Sequence, residues 1–313
     1  MARPGKTSKD TEQTRPARFD FYIKVTIMHS IRRIPLISIV IPCYNSGTFL
    51  SHTLCSIATQ QYPLTEVIII DGASSDNTFS IICEYSYLID IVISEKDRGQ
   101  SDALNKGFAL ARGEVLSWLN SDDILLPGCL WEVGRLFALN EDRTVVFGDW
   151  ATVDSESTLL SLHPAFDYSF FHMLYEGFTM NSQATFWGRD VLAQPNLSVD
   201  LDRTMDYELL LKLGLVRPKP RFVRTPLPLA GFRRHPGQKT QGVDRTVQRE
   251  HRMIAARIGY PQKFGSFSMV PRYFFRFRRA VWYLVRYGWS FVLSRSLVDA
   301  ELETRLARVF SRG

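Results

Sequence analysis

From Leu36 onward, short apolar runs alternate with longer segments of helical period. Residues 36–41 (LISIVI), 66–70 (EVIII), 90–94 (DIVIS), 115–119 (VLSWL) and 144–148 (TVVFG) are brief, β-branched and nearly continuous in hydrophobicity. Strands covered on both faces have this pattern. Between them, residues 49–59, 78–85, 101–111 and 130–139 have helical length and spacing. The βαβα order predicts an α/β domain with a mostly parallel, doubly wound sheet flanked by helices.

Open sheets of this kind bind ligands beyond the carboxyl ends of their strands, so the residues that follow each run carry the candidate chemistry. Pro42, Cys43, Tyr44 and Asn45 follow the first, Asp71, Gly72 and SSDNT the second. Glu95, Lys96, Asp97 and Arg98 follow the third, and Asn120, Ser121, Asp122 and Asp123 the fourth. Four successive strands therefore bring acids, amides and turn residues to one rim.

Residues 150–235 mix aromatics with acids, end in PLPLAGFRRHPG and are expected to complete the cleft. Beyond Pro236 the chain turns basic and helical. Arg272, Arg276, Arg279 and Arg286 are spaced to share one helix face, with Phe274, Phe277, Val281 and Leu284 on another. The resulting division is a basic N-terminal segment over 1–35, partly without a fixed fold, a catalytic domain over 36–237 and a basic amphipathic region over 238–313.

Charge sharpens this division. The net +6 splits into +11 on the flanks (1–35 and 271–313) and −5 in the centre. A nucleic-acid enzyme carries its positive field over the working cleft, so the distribution argues against DNA or RNA as a substrate and for peripheral contact with something anionic. Arg286 interrupts the best apolar stretch, 280–293, which falls short of the ~18 residues that span a bilayer. The polar N-terminus lacks a signal peptide's apolar core, so secretion by that route is not expected. Cys43, Cys55, Cys83 and Cys129 form neither CxxC pairs nor a metal-ligand spacing with His, which fits a reducing compartment.

The Asn120–Asp123 stretch (NSDD) has two readings. Adjacent carboxylates repel unless a cation or donor array compensates them, and a hard divalent metal on a diphosphate is one such compensator. An Asx-rich turn before a helix is the other. Asp71 likewise reads as a strand-end turn or as a carboxylate facing a base or ribose. Asp76, Asn77 and Thr78 read as a helix N-cap.

The series IPCYN (41–45), EVIIIDGASSDNT (66–78), EKDRGQSDALNKG (95–107), ARGEVLSWLNSDD (111–123) and MDYELLLKLG (205–214) resembles the family-2 glycosyltransferases of the GT-A fold. The resemblance runs from Leu36 to Gly237 and leaves both tails aside. It implies a metal-dependent, inverting transfer of a sugar from a nucleoside diphosphate donor, commonly a UDP-sugar, with Mg2+ or Mn2+ as cofactor. On that basis Pro42, Tyr44, Asn45 and Asp71 are expected around the base and ribose, and Asp97, Asp102, Asn105 and Lys106 beside the nucleotide and its phosphates. Asn120 stands where the family's DxD metal motif has its first acid. An amide oxygen can serve there without charge. Asp123 is expected as the first metal ligand and Asp122 as the second, with a further role for Asp122 and Asn120 at the nucleotide.

Asp206 matches the family's general base. Met205 replaces the preceding acid, and Glu208 is the runner-up on the acceptor side. Gln183 and Trp187 match the acceptor side of the cleft, and Arg233, Arg234 and His235 a loop that closes on the diphosphate or metal. The resemblance places such an enzyme in cell-surface polysaccharide or glycolipid assembly, with a saccharide or lipid-linked acceptor. The C-terminal aromatic and arginine-rich helix, including Trp282, Tyr283, Tyr287 and Trp289, suits either an anionic membrane interface or packing on the domain. The expected location is cytoplasmic, peripheral at the inner face of the plasma membrane. A sugar-nucleotide pyrophosphorylase would need a Gly-rich loop where this chain has PCYNSG. A glycoside hydrolase gives no reason for a diphosphate-metal site. The alternative of another class is a non-catalytic sugar-nucleotide-binding or membrane-associated scaffold.

Overall fold

A computed structural model describes residues 34–140, 143–178, 180–192, 196–239, 245–260 and 266–293. The predicted N-terminal segment, apart from Ile34 and Pro35, lies outside the described residues, as do the side chains of Arg272, Tyr287 and Trp289. Residues from Ile34 onward form one compact unit.

The first half alternates β1 (Ile37–Cys43), α1 (Leu50–Ala58), β2 (Thr65–Asp71), α2 (Thr78–Glu84), β3 (Ile91–Ser94), α3 (Gln100–Leu110) and β4 (Val115–Trp118). A two-residue strand β5 (Ile124–Leu125) leads into α4 (Cys129–Leu139), and β6 (Thr144–Val153) and β7 (Leu159–His163) follow. The remaining elements are α5 (Phe170–Glu176), a 3-10 turn (Ser182–Ala184), β8 (Thr185–Gly188), α6 (Arg189–Leu192), α7 (Met205–Leu215), β9 (Arg221–Arg233), α8 (Arg245–Arg257) and α9 (Ser266–Leu293). The predicted helices agree with α1 to α4 to within a residue at each end.

The strands form one sheet in the order β3-β2-β1-β4-β8-β6-β9-β5, with β7 on β6. The predicted parallel pairing holds for β3, β2, β1 and β4, and again between β6 and β9. The rest is antiparallel: β8 runs against both β4 and β6, β5 against β9, and β7 against β6. The sheet is therefore mixed. The return strands β8 and β5 are too short to show a period, and β9 is broken by Pro226 and Pro228 where its register to β6 shifts.

Strand periodicity of two divides the core between the two faces of the sheet. Ile37, Ile39, Ile41, Val67 and Ile69 face α1 and α4, where Leu50, Leu54, Ile57, Leu130 and Val133 complete a buried layer. Val40, Ile68 and Ile70 face the other way, towards Leu104 of α3, Leu209–Leu211 of α7 and Ile254 of α8. Each fully buried Ile or Leu stabilises the fold by about 1.5–3 kcal/mol. Both faces being covered explains why these strands read as unbroken apolar runs.

The helix α9 packs against α5. Phe275 meets the rings of His172 and Tyr175, Trp282 packs edge-on against Phe166, and the Tyr283 hydroxyl donates to the Pro164 carbonyl. Arg279 turns inward to the buried Glu176, while Phe274 and Phe277 stand 60% and 68% exposed. Arg279 thus faces the protein, while Phe274 and Phe277 face solvent. No helix among the described residues is long and apolar enough to cross a membrane.

Candidate active site

The strand ends do converge. After β1, Asn45 takes a left-handed conformation with φ of 50°. Its amide N–H donates to Ser74 Oγ at 2.8 Å and its side-chain oxygen accepts from Ser75 N at 2.9 Å. This lashes the loop after β1 to the loop after β2 and leaves the Tyr44 ring 68% exposed above them. Asp71 forms the floor between them, buried, accepting from Ser94 Oγ at 2.6 Å and Ser74 Oγ at 2.5 Å. A side chain at Gly72 would put its Cβ 2.9 Å from Asp97 Oδ2 and 3.3 Å from Tyr44 Cδ2. Asp97 and Tyr44 therefore pack on Gly72, beside the buried Asp71, more closely than a side chain there would allow.

Along α3, Asp102 accepts from Arg98 Nη2 at 2.8 Å, and Lys106 pairs with Glu95 at 2.7 Å. The Arg98 guanidinium holds the Asp102 carboxyl below its usual range. Asn105 departs from the expectation of a nucleotide contact. Its amide nitrogen donates to the Leu197 carbonyl at 2.8 Å and its oxygen accepts from Leu197 N at 3.0 Å. Both amide groups are thus engaged in clamping a loop onto α3.

The Asn120–Asp123 turn sorts its residues by burial, Asp123 lying inside and Asp122 part-exposed. Asp123, expected first, is 1% exposed, with Oδ1 accepting from Arg233 N at 2.9 Å and Oδ2 from Asn120 Nδ2 at 3.1 Å. Burial, then the neighbouring Asp122 charge, raises its carboxyl well above the ordinary range. The Asp122 side chain is 32% exposed, with Oδ2 lying 3.0 Å from His235 Nε2. Carboxylate oxygen and imidazole nitrogen suit Mn2+ or Mg2+ as two protein ligands of an otherwise open site. Among the described residues no three His, Cys, Asp or Glu side chains gather into a metal cage.

Arg233 also departs from expectation. It is fully buried, and its guanidinium donates to the carbonyls of Asp122, Asp154 and Ser155 and to Ser157 Oγ. It also lies 4.8 Å over the Phe49 ring, which is 4.7 Å from the ring of His235. Arg233 is a strut that fixes the turn and the His235 loop, and its buried donors are directed away from a ligand. Arg234 beside it is exposed.

A cavity of about 1010 Å³ opens from this turn towards α7 and α9. Gln100, Asn120, Gln183, Ser182, Asp206 and Arg234 line its rim. Gln183 Oε1 accepts from Asn120 N at 2.7 Å, which couples the Asn120–Asp123 turn to the 3-10 turn. The 3-10 turn also carries Ser182, whose hydroxyl donates to Asp206 Oδ2 at 3.2 Å. Asp206, in the first turn of α7, is half-buried, and burial pushes its carboxyl up to about 6, against hydrogen bonds from Tyr207 N and Ser182 that lower it. A group that is ionised at neutral pH yet poorly solvated is a good proton acceptor.

The two remaining acceptor-side expectations fail on burial. Trp187 is 1% exposed and stacks on Trp118 at 4.5 Å inside the core, because its parity on β8 points it at α3 rather than at the cleft. Glu208 is buried against Lys212 at 2.9 Å and Arg257 at 2.9 Å, two residues on from Asp206 and on another face of α7. Sequence reasoning passed over two groups at the site. Gln100 donates to Asn120 Oδ1 at 2.7 Å, and Ser182 holds Asp206. Gln100 lies inside a motif already quoted.

The family model for "Glycosyl transferase family 2" matches residues 38–194. An uncharacterised glycosyltransferase of Rickettsia felis is 31% identical over 128 residues, 40% of this chain and 21% of that protein. The putative teichuronic acid biosynthesis glycosyltransferase TuaG of Bacillus subtilis is 35% identical over 92 residues, 28% of this chain and 36% of TuaG. The matches thus span well under half the length of these relatives. Among solved structures, S. aureus TarS 1-349 in complex with UDP-GlcNAc superposes with a TM-score of 0.54 at 17% identity, covering 76% of this chain and 71% of TarS 1-349. The similarity extends the shared fold past the family match. With half the chain matched by the family model and the GT-A-like architecture around one rim, this protein belongs to glycosyl transferase family 2.

Proposed function

We propose that the chain is an inverting glycosyltransferase that moves a sugar from a nucleoside diphosphate donor, with UDP as the leaving group, to an acceptor hydroxyl in polysaccharide or glycolipid assembly. The observation that carries this reading is the run of polar contacts from His235 to Asp122, through Arg233 and Asp123 to Asn120, and on through Gln183 and Ser182 to Asp206. A diphosphate-binding end and a proton-accepting end are thus joined by one chain of contacts, of which Asn120, Gln183, Ser182 and Asp206 line the cavity. The family membership and the UDP-GlcNAc complex of TarS support the donor class.

In this reading Tyr44, Asn45 and Asp71 hold the nucleoside, with Asp97 beside them. Asp102 and Lys106 border the phosphates, and Pro42 shapes the loop that ends β1. Asp122 and His235 would hold a divalent Mg2+ or Mn2+, which when bound neutralises charge on a departing diphosphate. Asp206 takes the proton from the acceptor hydroxyl as its oxygen bonds to the anomeric carbon. The bond from that carbon to the diphosphate oxygen breaks on the opposite face, and the nucleoside diphosphate leaves with the electron pair. Single displacement inverts the centre, and holding both reactants in line supplies much of the rate. The exposed Tyr273, Phe274, Phe277 and Val285 of α9, beside its arginines, support a peripheral seat on an anionic membrane at the cytoplasmic side.

The test is mass-detected transfer with a panel of UDP-, GDP- and dTDP-sugars and saccharide or lipid-linked acceptors. Product formation with stoichiometric nucleoside diphosphate, abolished in Asp206→Asn while donor binding persists, is the expected result. Full turnover by that variant would remove Asp206 from the mechanism.

A further inference from the structure

The cavity wall away from the donor rim is strongly basic. Arg203, Lys239, Arg276 and Arg279 line it, against the carboxylate of Asp202. This is the reverse of the central sequence as a whole, whose acids outnumber its bases. Asp202 is taken by Lys239 at 3.0 Å and lies 3.9 Å from Arg203. On α9, Arg276 and Arg279 share a single counter-charge, the buried Glu176. Arg279 Nη2 lies 2.8 Å from it, whereas Arg276 Nε is at 3.8 Å with its side chain 58% exposed. One carboxylate behind two guanidiniums leaves a positive excess facing the cavity.

A neutral saccharide gives no reason for such a wall. Cations that outnumber the carboxylates on one concave surface repel one another, and a bound anion relieves this while gaining charge-assisted hydrogen bonds. Guanidinium groups in particular match the planar or tetrahedral oxygens of carboxylate and phosphate. The diphosphate of the donor does not fill this role, because Asp122 and His235 lie on the strand-end rim, whereas Arg276 and Arg279 enter the cavity from α9.

We propose that the acceptor carries an anionic group, a phosphate or a carboxylate, close to the hydroxyl that is glycosylated, and that Arg276 with Arg279 and Lys239 holds it. The inference rests on the glycosyltransferase reading and adds the acceptor's chemical class. The helix α9 then has a function at the site: its inward face selects the acceptor by charge.

The test uses the full chain saturated with UDP and Mg2+, which occupies the donor side. Inorganic phosphate, glucuronate and glucose are then titrated at constant ionic strength, with binding read by the further rise in melting temperature. Phosphate or glucuronate is expected to stabilise the protein beyond UDP alone and glucose is not. Which of the two binds more tightly distinguishes a phosphate-bearing from a uronate-bearing acceptor. Arg276→Gln is expected to weaken anion binding about tenfold, the loss of one charge-assisted contact, and Arg276→Lys to restore most of it. Equal stabilisation by glucose, no anion effect on the UDP-saturated protein, or undiminished anion binding by Arg276→Gln would overturn the inference. If UDP itself fails to stabilise the protein, the donor reading has failed, and that outcome is separate from a failure of anion selection on a UDP-bound protein.

Discussion

Titrating the proton acceptor gives a strong test of the mechanism. A solvated aspartate ionises near 3.8, and burial at the head of α7 pushes Asp206 up to about 6. The displacement corresponds to about 3 kcal/mol of preference for the neutral carboxyl, the net of poor solvation against hydrogen bonds from Tyr207 N and Ser182 Oγ. Because the base must be ionised to act, activity rises with pH through this value. At pH 7 about nine-tenths of Asp206 is ionised and at pH 5 about one-tenth, so kcat/KM should fall about tenfold between them. Nucleoside diphosphate release measured from pH 5 to 8 should show an acid limb with its midpoint near 6. Carboxyl 13C shifts compared with Asp206→Asn should assign that midpoint to Asp206. Ser182→Ala removes one donor to the charged form, so its midpoint should move towards alkaline pH. A rate independent of pH across this range, or a Ser182→Ala midpoint displaced towards acid, would refute the reasoning.

Other perturbations test the supporting structure. Asn105→Ala removes both bonds to the Leu197 backbone and should cost about 1–3 kcal/mol in urea unfolding, with UDP affinity by calorimetry held within about twofold. Gly72→Ala drives a methyl towards Asp97 and Tyr44 and should weaken UDP binding more than it lowers the melting temperature. Glu250, fully buried on α8, accepts from Asp202 N, Arg203 N and Thr204 Oγ1, and so fixes the approach to Asp206. Glu250→Ala should lose about 2–3 kcal/mol of stability, whereas Glu250→Gln should lose less, because the amide oxygen still accepts. Phe274→Ser with Phe277→Ser should reduce co-sedimentation with anionic liposomes if the exposed face of α9 meets a membrane, and unchanged sedimentation would remove that part of the proposal.

The legibility of the sequence followed what each residue's neighbours in the chain could reveal. Strands β1, β2 and β6 were readable because burial on both faces makes them continuously apolar. Strand β9 was not, because Pro226 and Pro228 interrupt it, and only its pairing with β6 across a shifted register makes it a strand. The polar rim was readable from the residues after each strand. The different burial of Asp122 and Asp123 was not, because Arg233, 110 residues downstream, supplies the N–H that turns Asp123 inward. Trp187 and Asn105 sit within motifs but serve packing and a loop clamp, a difference set by strand parity and by the position of Leu197. Spacing grouped the arginines of α9, of which the Arg272 side chain lies outside the described residues, and which side of that helix meets the domain depends on Glu176 and Phe166.

The central claim is that a nucleoside diphosphate is held at the strand-end rim through Asp122 and His235. Calorimetric titration of UDP, with Mn2+ and with EDTA, into the intact chain and into Asp122→Ala tests it most directly. The account predicts UDP binding that tightens at least about tenfold with Mn2+ in the unaltered protein and loses that dependence in Asp122→Ala. UDP affinity that is the same with Mn2+ and EDTA, or a metal effect that survives Asp122→Ala intact, would contradict it.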